Sequence, residues 1–274
     1  MPLMNIQQYY IRTAKTFRLL AWLSLAAALI ITAAFSIIGW QYLLHPNALY
    51  LVVLAGSFPG FLIAAHAKKT RAKEIKVTTP EQSLTFEKQR RFILVPFVHW
   101  LREFVIFTMK GEAVAVIRED VTGLQKAAKF CLHLIGLRPY LKKKIIVENQ
   151  EGTLYRLYKD RGFKQRYHLY TSDGTKLAEY DMNLLNLLRA YSNIYDEAGN
   201  KIGENHGGFG GIQFEVRDIN KNKLIDTKYD GIPLEAMNIF AGVRGDIITV
   251  EEDLAHQTPI FLLSPLLIQL HYRR

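Results

Sequence analysis

The acidic and amide side chains of Asp218–Asn222 have the spacing that opens a calcium-binding loop. Such a loop places oxygen ligands at alternate positions, has a glycine at its sixth position and ends with a bidentate glutamate at its twelfth. Here the sixth position is Lys223 and the twelfth is Tyr229. We therefore interpret Asp218–Asn222 as a β-turn and not as a metal site.

The remaining candidate catalytic motifs also lack the residues that their chemistry needs. His206–Gly211 is rich in glycine, but it has neither the Gly-x-Gly-x-x-Gly spacing nor a following Lys-Ser or Lys-Thr, so we interpret it as a loop at the mouth of a β-structure. Glu251–Asp253 is interpreted as a solvated acidic turn, because no histidine has metal-ligand spacing with it or with Cys131. The sequence predicts no catalytic residue, no metal and no cofactor.

Four basic residues form the clearest candidate binding site: Arg138, Lys142, Lys143 and Lys144. They follow apolar residues near helical spacing, so the segment 120–144 is predicted to hold an amphipathic helix that ends in a basic cluster. Two interpretations stay open. In one, the helix packs on a globular domain and the cluster is solvated. In the other, the helix lies in a membrane interface with its lysines on anionic head groups.

Two long apolar runs near the N terminus indicate where a membrane would be. Residues 19–67 contain no Asp, Glu, Lys or Arg, and they divide into Leu19–Trp40 and Ala48–Ala67. Each run reaches the roughly 20 residues that a helix needs to cross the hydrocarbon core of a bilayer. A cleaved signal peptide has a shorter apolar region and no second run of equal length. The sequence therefore predicts a transmembrane helical hairpin over residues 19–67.

Basic residues flank this hairpin at its two outer ends. Arg12, Lys15 and Arg18 precede it, Lys68 and Lys69 follow it, and the connecting loop has neither Lys nor Arg. Because positive charge is retained in the cytoplasm, both termini should be cytoplasmic, and the protein should be a multi-pass protein of the cell membrane. The predicted organisation is a cytoplasmic segment over 1–18, the hairpin over 19–67, a linker over 68–80 and a globular domain over 81–274.

The charge balance indicates what this cytoplasmic domain meets. The formal net charge is +10, and residues 1–67 contain three basic residues and no acidic one, so +7 belongs to residues 68–274. A basic domain held at the inner leaflet meets anionic lipid head groups first. The single cysteine, Cys131, excludes an intramolecular disulfide and suits a reducing compartment.

The second half of the chain repeats one pattern, a strand, a polar turn with Gly or Asn, and a second strand. The copies are Ile146–Tyr155, Leu169–Ala178, Ile194–Gly203 and Glu215–Ile225. Phe104–Thr108 and Ala113–Ile117 predict a further hairpin, and Pro96, Arg102 and Glu103 favour strands over a third membrane span at Phe92–Phe107. Regular short hairpins predict a meandering antiparallel sheet that closes into a barrel and leaves no free edge.

The C-terminal segment Thr258–Leu270 is apolar on every side. It is too short to span a bilayer, and it contains Pro259 and Pro265. An element that is apolar all round must be buried, and the interior of the predicted barrel is the place that could enclose it. The predicted fold is thus two transmembrane helices followed by a mainly-β domain, a closed antiparallel barrel around a hydrophobic C-terminal helix.

Three segments, Ile194–Glu204, Phe214–Asp226 and Gly245–Arg274, resemble the tubby C-terminal-like superfamily, which includes the LURP-one-related proteins and the phospholipid scramblases. The resemblance covers residues 75–274 and implies a closed barrel of about twelve strands around a hydrophobic C-terminal helix. The chain lacks the cysteine-rich palmitoylation segment of the scramblases, and its membrane hairpin is N-terminal. No residue role is transferred, because the lipid-contacting lysines of tubby domains match no positions one to one.

We expect a membrane-anchored, non-enzymatic barrel module that binds or senses anionic lipid head groups. The expected lipid-binding residues are Arg138, Lys142, Lys143 and Lys144. A membrane-tethered scaffold or regulator that docks another membrane protein is the first alternative. Lipid translocation, or an enzyme activity whose site the sequence does not reveal, is the second. No nucleic acid partner is expected.

Overall fold

The structure is a computed structural model that describes residues 4–39, 48–75, 89–97, 103–134, 140–162, 165–182, 189–209, 213–229, 231–251 and 258–272. The chain divides into two compact units. One is Ile6–Val77, and the other combines Met1–Asn5 with Thr78–Arg274.

The first unit is a pair of long helices, α1 (Ile6–Ile38) and α2 (Ala48–Glu74). They pack antiparallel, since the rings of Phe17 and Phe61 stack at 6.2 Å and the Gln7 side chain donates to the Ala72 carbonyl at 2.9 Å. Both helices are long and apolar enough to cross a membrane. α1 begins well before the apolar run, because residues 6–18 contain no glycine or proline that would stop a helix.

The second unit is built on twelve strands that form one closed antiparallel barrel. The strands are β1 (Arg91–Phe97), β2 (Glu103–Thr108), β3 (Ala113–Glu119), β4 (Lys143–Glu148), β5 (Thr153–Lys159), β6 (Gln165–Thr171), β7 (Lys176–Met182), β8 (Arg189–Asp196), β9 (Lys201–Phe209), β10 (Gln213–Asp218), β11 (Lys223–Lys228) and β12 (Asp246–Val250). Each strand pairs with its neighbours in sequence, and β1 closes the ring on β12 through pairs such as Leu94 with Asp246. The predicted closed barrel is confirmed, and so are strands at Arg91–Phe97 and Glu103–Thr108 where a third membrane span had been the alternative.

Four of the hairpins share one five-residue turn: Thr108–Glu112, Thr171–Thr175, Asp196–Asn200 and Asp218–Asn222. In each, the first amide donates to the fifth carbonyl, and the fourth amide donates back to the first carbonyl. The fourth residue therefore has positive φ, with values of 82° at Gly111, 96° at Gly174, 87° at Gly199 and 69° at Lys221. Glycine adopts this conformation without steric cost, which is why the turn pattern was readable in the sequence. The fifth tight turn, Asn149–Gly152, also uses a glycine at positive φ.

The two ends of the barrel differ because consecutive strands run in opposite directions. The five tight turns lie at one end, which we call the turn end, and β1 also begins there. The other connections between consecutive strands belong to the opposite end, which we call the loop end, and one of them holds α3 (Leu124–Leu134). The β11–β12 connection holds α4 (Leu234–Phe240), which folds back over the outer wall, since Phe240 packs edge-on against Phe107 at 5.7 Å and Glu235 pairs with Arg91.

The last helix, α5 (Thr258–Tyr272), contributes to the buried apolar cluster of the barrel strands. Its members in that cluster are Phe261, Leu262, Leu263, Leu266 and Leu267. The hydroxyl of Tyr180 on β7 donates to the Ile260 carbonyl at 2.7 Å. Phe261 lies against Gly203, and Ser264 is bonded by Asn205, so α5 runs in the same direction as β9. The helix continues through Pro265.

Candidate functional site

The predicted basic cluster does not form the tail of a helix. α3 ends at Leu134, Lys142 is an exposed residue before β4, and Lys143 and Lys144 are the first two residues of β4. The β-branched run that follows, Ile145–Val147, favours a strand over a helix and explains this correction. Consecutive residues of a strand point to opposite faces, so the lysines do not form one patch. Arg138 lies outside the described residues.

Lys144 points outward and is paired. Its Nζ lies 2.6 Å from Oδ2 of Asp120, and the Asp120 amide donates to the Lys144 carbonyl at 2.8 Å. The carboxylate raises the pKa of Lys144, and the ammonium in turn lowers the pKa of Asp120. Because both side chains are exposed, the pair contributes little to stability, but it does compensate the charge of Lys144 locally.

Lys143 shares the inward register of Ile145, and its partner across the strands is Lys159 on β5. Lys159 is only 2% exposed. Its ammonium donates to the Asp160 carbonyl at 3.0 Å and to the Leu141 carbonyl at 3.4 Å. Burial lowers the pKa of Lys159 because the charged form loses water, and the nearby Asp160 carboxylate opposes that effect. Lys159 was not predicted as a site residue from the sequence, although it lies two positions from the inward-facing Leu157 on the same strand, and that spacing predicts an inward side chain.

Two backbone segments meet at this position, at the loop end of the barrel. The Gly162 amide donates to the Tyr140 carbonyl at 3.0 Å, beside the bond from Lys159 to Leu141. We call residues 140–142 together with 159–162 the basic corner. Its exposed cations are Lys142 and Arg161, and neither forms an ion pair with any residue that the structure describes.

The one acidic residue of the basic corner is Asp160, and its carboxylate contacts His168 on β6. Oδ2 of Asp160 lies 3.2 Å from Nε2 of His168, and Nδ1 of the same imidazole lies 3.3 Å from Oε2 of Glu179. With Lys142, Lys159 and Arg161 against Asp160, the corner has a formal charge of +2. Lys142 and Arg161 are exposed cations on two segments, and the buried Lys159 joins these segments. Such an arrangement is suited to binding an anion such as a phosphate group.

The turn that resembled a calcium loop is a β-turn, as predicted. The two carboxylate oxygens of Asp218 accept the Asn222 amide at 2.7 Å and its side-chain Nδ2 at 2.9 Å, so they stabilise the turn. Among the described residues, no group of three or more His, Cys, Asp or Glu side chains is arranged to hold a metal ion.

Two further sequence interpretations have different outcomes. The glycine-rich stretch predicted as a loop is part of β9 up to Phe209, because pairing with both β8 and β10 outweighs the poor strand propensity of glycine. Gly210 and Gly211 lie outside the described residues. Glu251 pairs with Lys223 at 3.1 Å, and the two acidic residues that follow it also lie outside the described residues.

A polar cluster that was not predicted from the sequence lies among the buried apolar side chains. Nδ2 of Asn205 donates to Oγ of Ser192 at 2.6 Å and to Oγ of Ser264 on α5, and all three residues are fully buried. Oδ1 of Asn205 and Oγ1 of Thr227 have no hydrogen-bond partner within the described part of the chain.

Comparisons of the chain with family models, curated proteins and solved structures found no match.

Proposed function

We propose that this protein is a membrane-anchored β-barrel module that binds anionic lipid head groups at the cytoplasmic face of the cell membrane. The observation that carries the proposal is the basic corner. It presents Lys142 and Arg161 to solvent on two segments that Lys159 and the Gly162–Tyr140 hydrogen bond hold together. Each basic residue near an anionic surface contributes about 1 kcal/mol of attraction, so two such residues matter for a domain that is already tethered.

The exposure of α1 and α2 supports the membrane anchor. In their most apolar 18-residue stretches, only 11% and 6% of the residues are buried, whereas the core helix of a soluble protein is mostly buried. Side chains such as Ile30 (69% exposed) and Ile63 (70% exposed) would form a large apolar patch in water. A hydrocarbon environment removes that cost, and the basic residues at both outer ends support cytoplasmic termini.

We also propose that α5 fills the barrel and that the domain belongs with the tubby C-terminal-like proteins. Support comes from the twelve-strand closed barrel and from the buried side chains of Phe261–Leu267, which join the inward-facing residues of the strands in one cluster. A barrel filled in this way is a rigid platform that presents its end loops, as expected for a binding module.

The function is tested by binding in trans: the full-length protein is held in one bilayer, and the lipid to be bound is supplied in separate vesicles. The protein is reconstituted in nanodiscs of neutral lipid and mixed with dense, sucrose-loaded vesicles of either neutral or anionic composition. Sedimentation of the nanodiscs with the vesicles then reports binding by the barrel, because the hairpin already occupies its own bilayer. Binding is expected only with anionic vesicles, and it should weaken as salt shortens the Debye length from about 10 Å at 0.1 M to about 3 Å at 1 M. Equal sedimentation with neutral vesicles, or none with either, would contradict the proposal.

A second candidate function, docking of another membrane protein, is favoured by α4. Leu234 is 84% exposed and Met237 is 49% exposed on the outer wall of the barrel. A photo-crosslinking residue at Met237 would give a discrete protein adduct in cells if this wall docks a partner, and the same residue at Ile219 serves as the control. Lipid adducts alone at Met237 would count against docking.

A further inference from the structure

Three apolar residues on one face of α3 point away from the barrel. Leu124, Ala128 and Cys131 lie on one face of the helix at i, i+4 and i+7, and all three are exposed, Leu124 by 90%. A surface helix of a globular domain normally turns its apolar face towards the core. In α3 the side that faces the barrel carries Lys129.

A buried carboxylate explains this orientation. Glu119 is the last residue of β3, it has the inward register of Ile117, and it is 7% exposed. Nζ of Lys129 donates to Oε1 of Glu119. A charge this deeply buried needs a hydrogen-bonded partner of opposite sign, so the ion pair keeps Lys129 towards the barrel and leaves the apolar face outside.

The loop end also differs from the turn end in composition. The described parts of its connections outside the α4 segment are residues 120–134, 140–142 and 160–162, and they contain four basic and two acidic residues. The five tight turns, residues 109–112, 149–152, 172–175, 197–200 and 219–222, contain two basic and four acidic residues. Two large apolar side chains in these described loop-end segments are exposed, Leu124 by 90% and Tyr140 by 38%. A surface that is both basic and apolar is typical of interfacial membrane binding.

We propose that the loop end is the face that docks on an anionic bilayer, with the outer face of α3 entering the interface and Lys142 and Arg161 on head groups. This inference rests on the proposed function and names the surface and the mode of binding.

The native cysteine provides the probe. Cys131 of the full-length protein is labelled with an environment-sensitive fluorophore, and the protein is placed in neutral or anionic nanodiscs. Docking predicts a several-fold rise in emission in anionic nanodiscs, together with quenching by spin-labelled lipid. The matched control is the variant Cys131→Ser/Asn220→Cys, which carries the fluorophore at the turn end and should show neither change.

Substitution of two exposed apolar residues, Leu124 on α3 and Ile219 at the turn end, distinguishes insertion of α3 into the bilayer from electrostatic attraction alone. Leu124→Ser should lower the ratio of docked to undocked protein about tenfold, because a leucine side chain no longer leaves water. Ile219→Ser changes a 58% exposed residue at the turn end and should leave that ratio unchanged. Since both residues are exposed, neither substitution is expected to disturb folding, and unchanged melting of the barrel confirms this for each variant.

The other outcomes overturn the inference, and they do so in distinguishable ways. A signal at position 220 but not at 131, with binding to anionic vesicles in trans, would keep lipid binding and reject the loop end as the docking face. Loss of docking in Lys142→Gln/Arg161→Gln with no effect of Leu124→Ser would reject insertion of α3. A signal at Cys131 that ignores lipid charge and grows with protein density would indicate a second copy or another protein on this face. No signal at either position, with no binding in trans, would reject the proposed function as well.

Discussion

Replacing Gly203 with alanine is expected to destabilise the barrel, because the new methyl group has no space. A Cβ at this position would lie 2.5 Å from the Arg217 carbonyl oxygen on β10 and 2.9 Å from Cε1 of Phe261 on α5. The Arg217 oxygen belongs to a paired strand and cannot move without disturbing the β9–β10 ladder. Overpacking of this kind costs about 1–3 kcal/mol, and two simultaneous overlaps place the expected loss near 3 kcal/mol.

Thermal unfolding of the full-length protein in detergent, followed by circular dichroism, measures this loss. For a domain of this size about 3 kcal/mol corresponds to a fall in Tm of roughly 6–12 °C. Gly174→Ala is the matched comparison. That position has open space and a φ of 96°, so it incurs only backbone strain, about 1 kcal/mol.

The contribution of α5 is isolated by a double-mutant cycle with Phe261→Leu, which removes the ring atom that the new methyl would meet. Gly203→Ala should cost measurably less in that background, because one of the two overlaps is gone. An equal cost in both backgrounds, or a loss no larger than that of Gly174→Ala, would refute the packing of α5 against β9.

Two further substitutions and one labelling experiment have defined outcomes. Lys221→Gly should raise the free energy of unfolding by about 1 kcal/mol, because it relieves a φ of 69° at a non-glycine residue, and a lower Tm would contradict this. Lys159→Met should flatten the pH dependence of stability. In the wild type, the free energy of unfolding should rise as the pH increases from the lowered pKa of Lys159 towards about 10.4, because in that range only the unfolded chain has Lys159 protonated. If the difference in unfolding free energy between wild type and variant stayed constant across this pH range, Lys159 would not be buried as a charge. Cys131 is exposed in the protein, so an impermeant thiol reagent should leave it unlabelled in intact cells and label it once detergent dissolves the membrane; labelling in intact cells would reject cytoplasmic termini.

The features predicted correctly from the sequence are those with local causes. The hairpin turns were recognisable because Gly174 and Gly199 occupy positions whose φ is positive, and the flanking residues are β-formers. Closure of the sheet followed from the regularity of the hairpins. The pairing of β1 with β12, which joins Leu94 to Asp246, depends on residues more than 150 positions apart, and no local pattern specifies that register.

The candidate site was predicted less well, because its arrangement depends on long-range contacts. Counting charges found Lys142, Lys143 and Lys144, but strand alternation separates the last two, and Asp120 compensates Lys144. Arg161, which completes the basic corner, lies 19 residues from Lys142 and adjoins it only because two connections meet. The outward turn of α3 depends on Glu119 at the end of the preceding strand, and helical periodicity alone predicted an apolar stripe without its direction.

The most direct test of anionic-lipid binding by the basic corner compares two charge-matched double variants in the trans-sedimentation assay. Lys142→Gln/Arg161→Gln removes two positive charges from the corner, and Lys110→Gln/Lys221→Gln removes the same number from the turn end. At about 1 kcal/mol for each basic residue, the first variant should bind anionic vesicles roughly thirtyfold more weakly than wild type, whereas the second should bind nearly as well. An equal loss in both variants would mean that net charge alone attracts the domain, and full binding by the first would contradict a role for the basic corner.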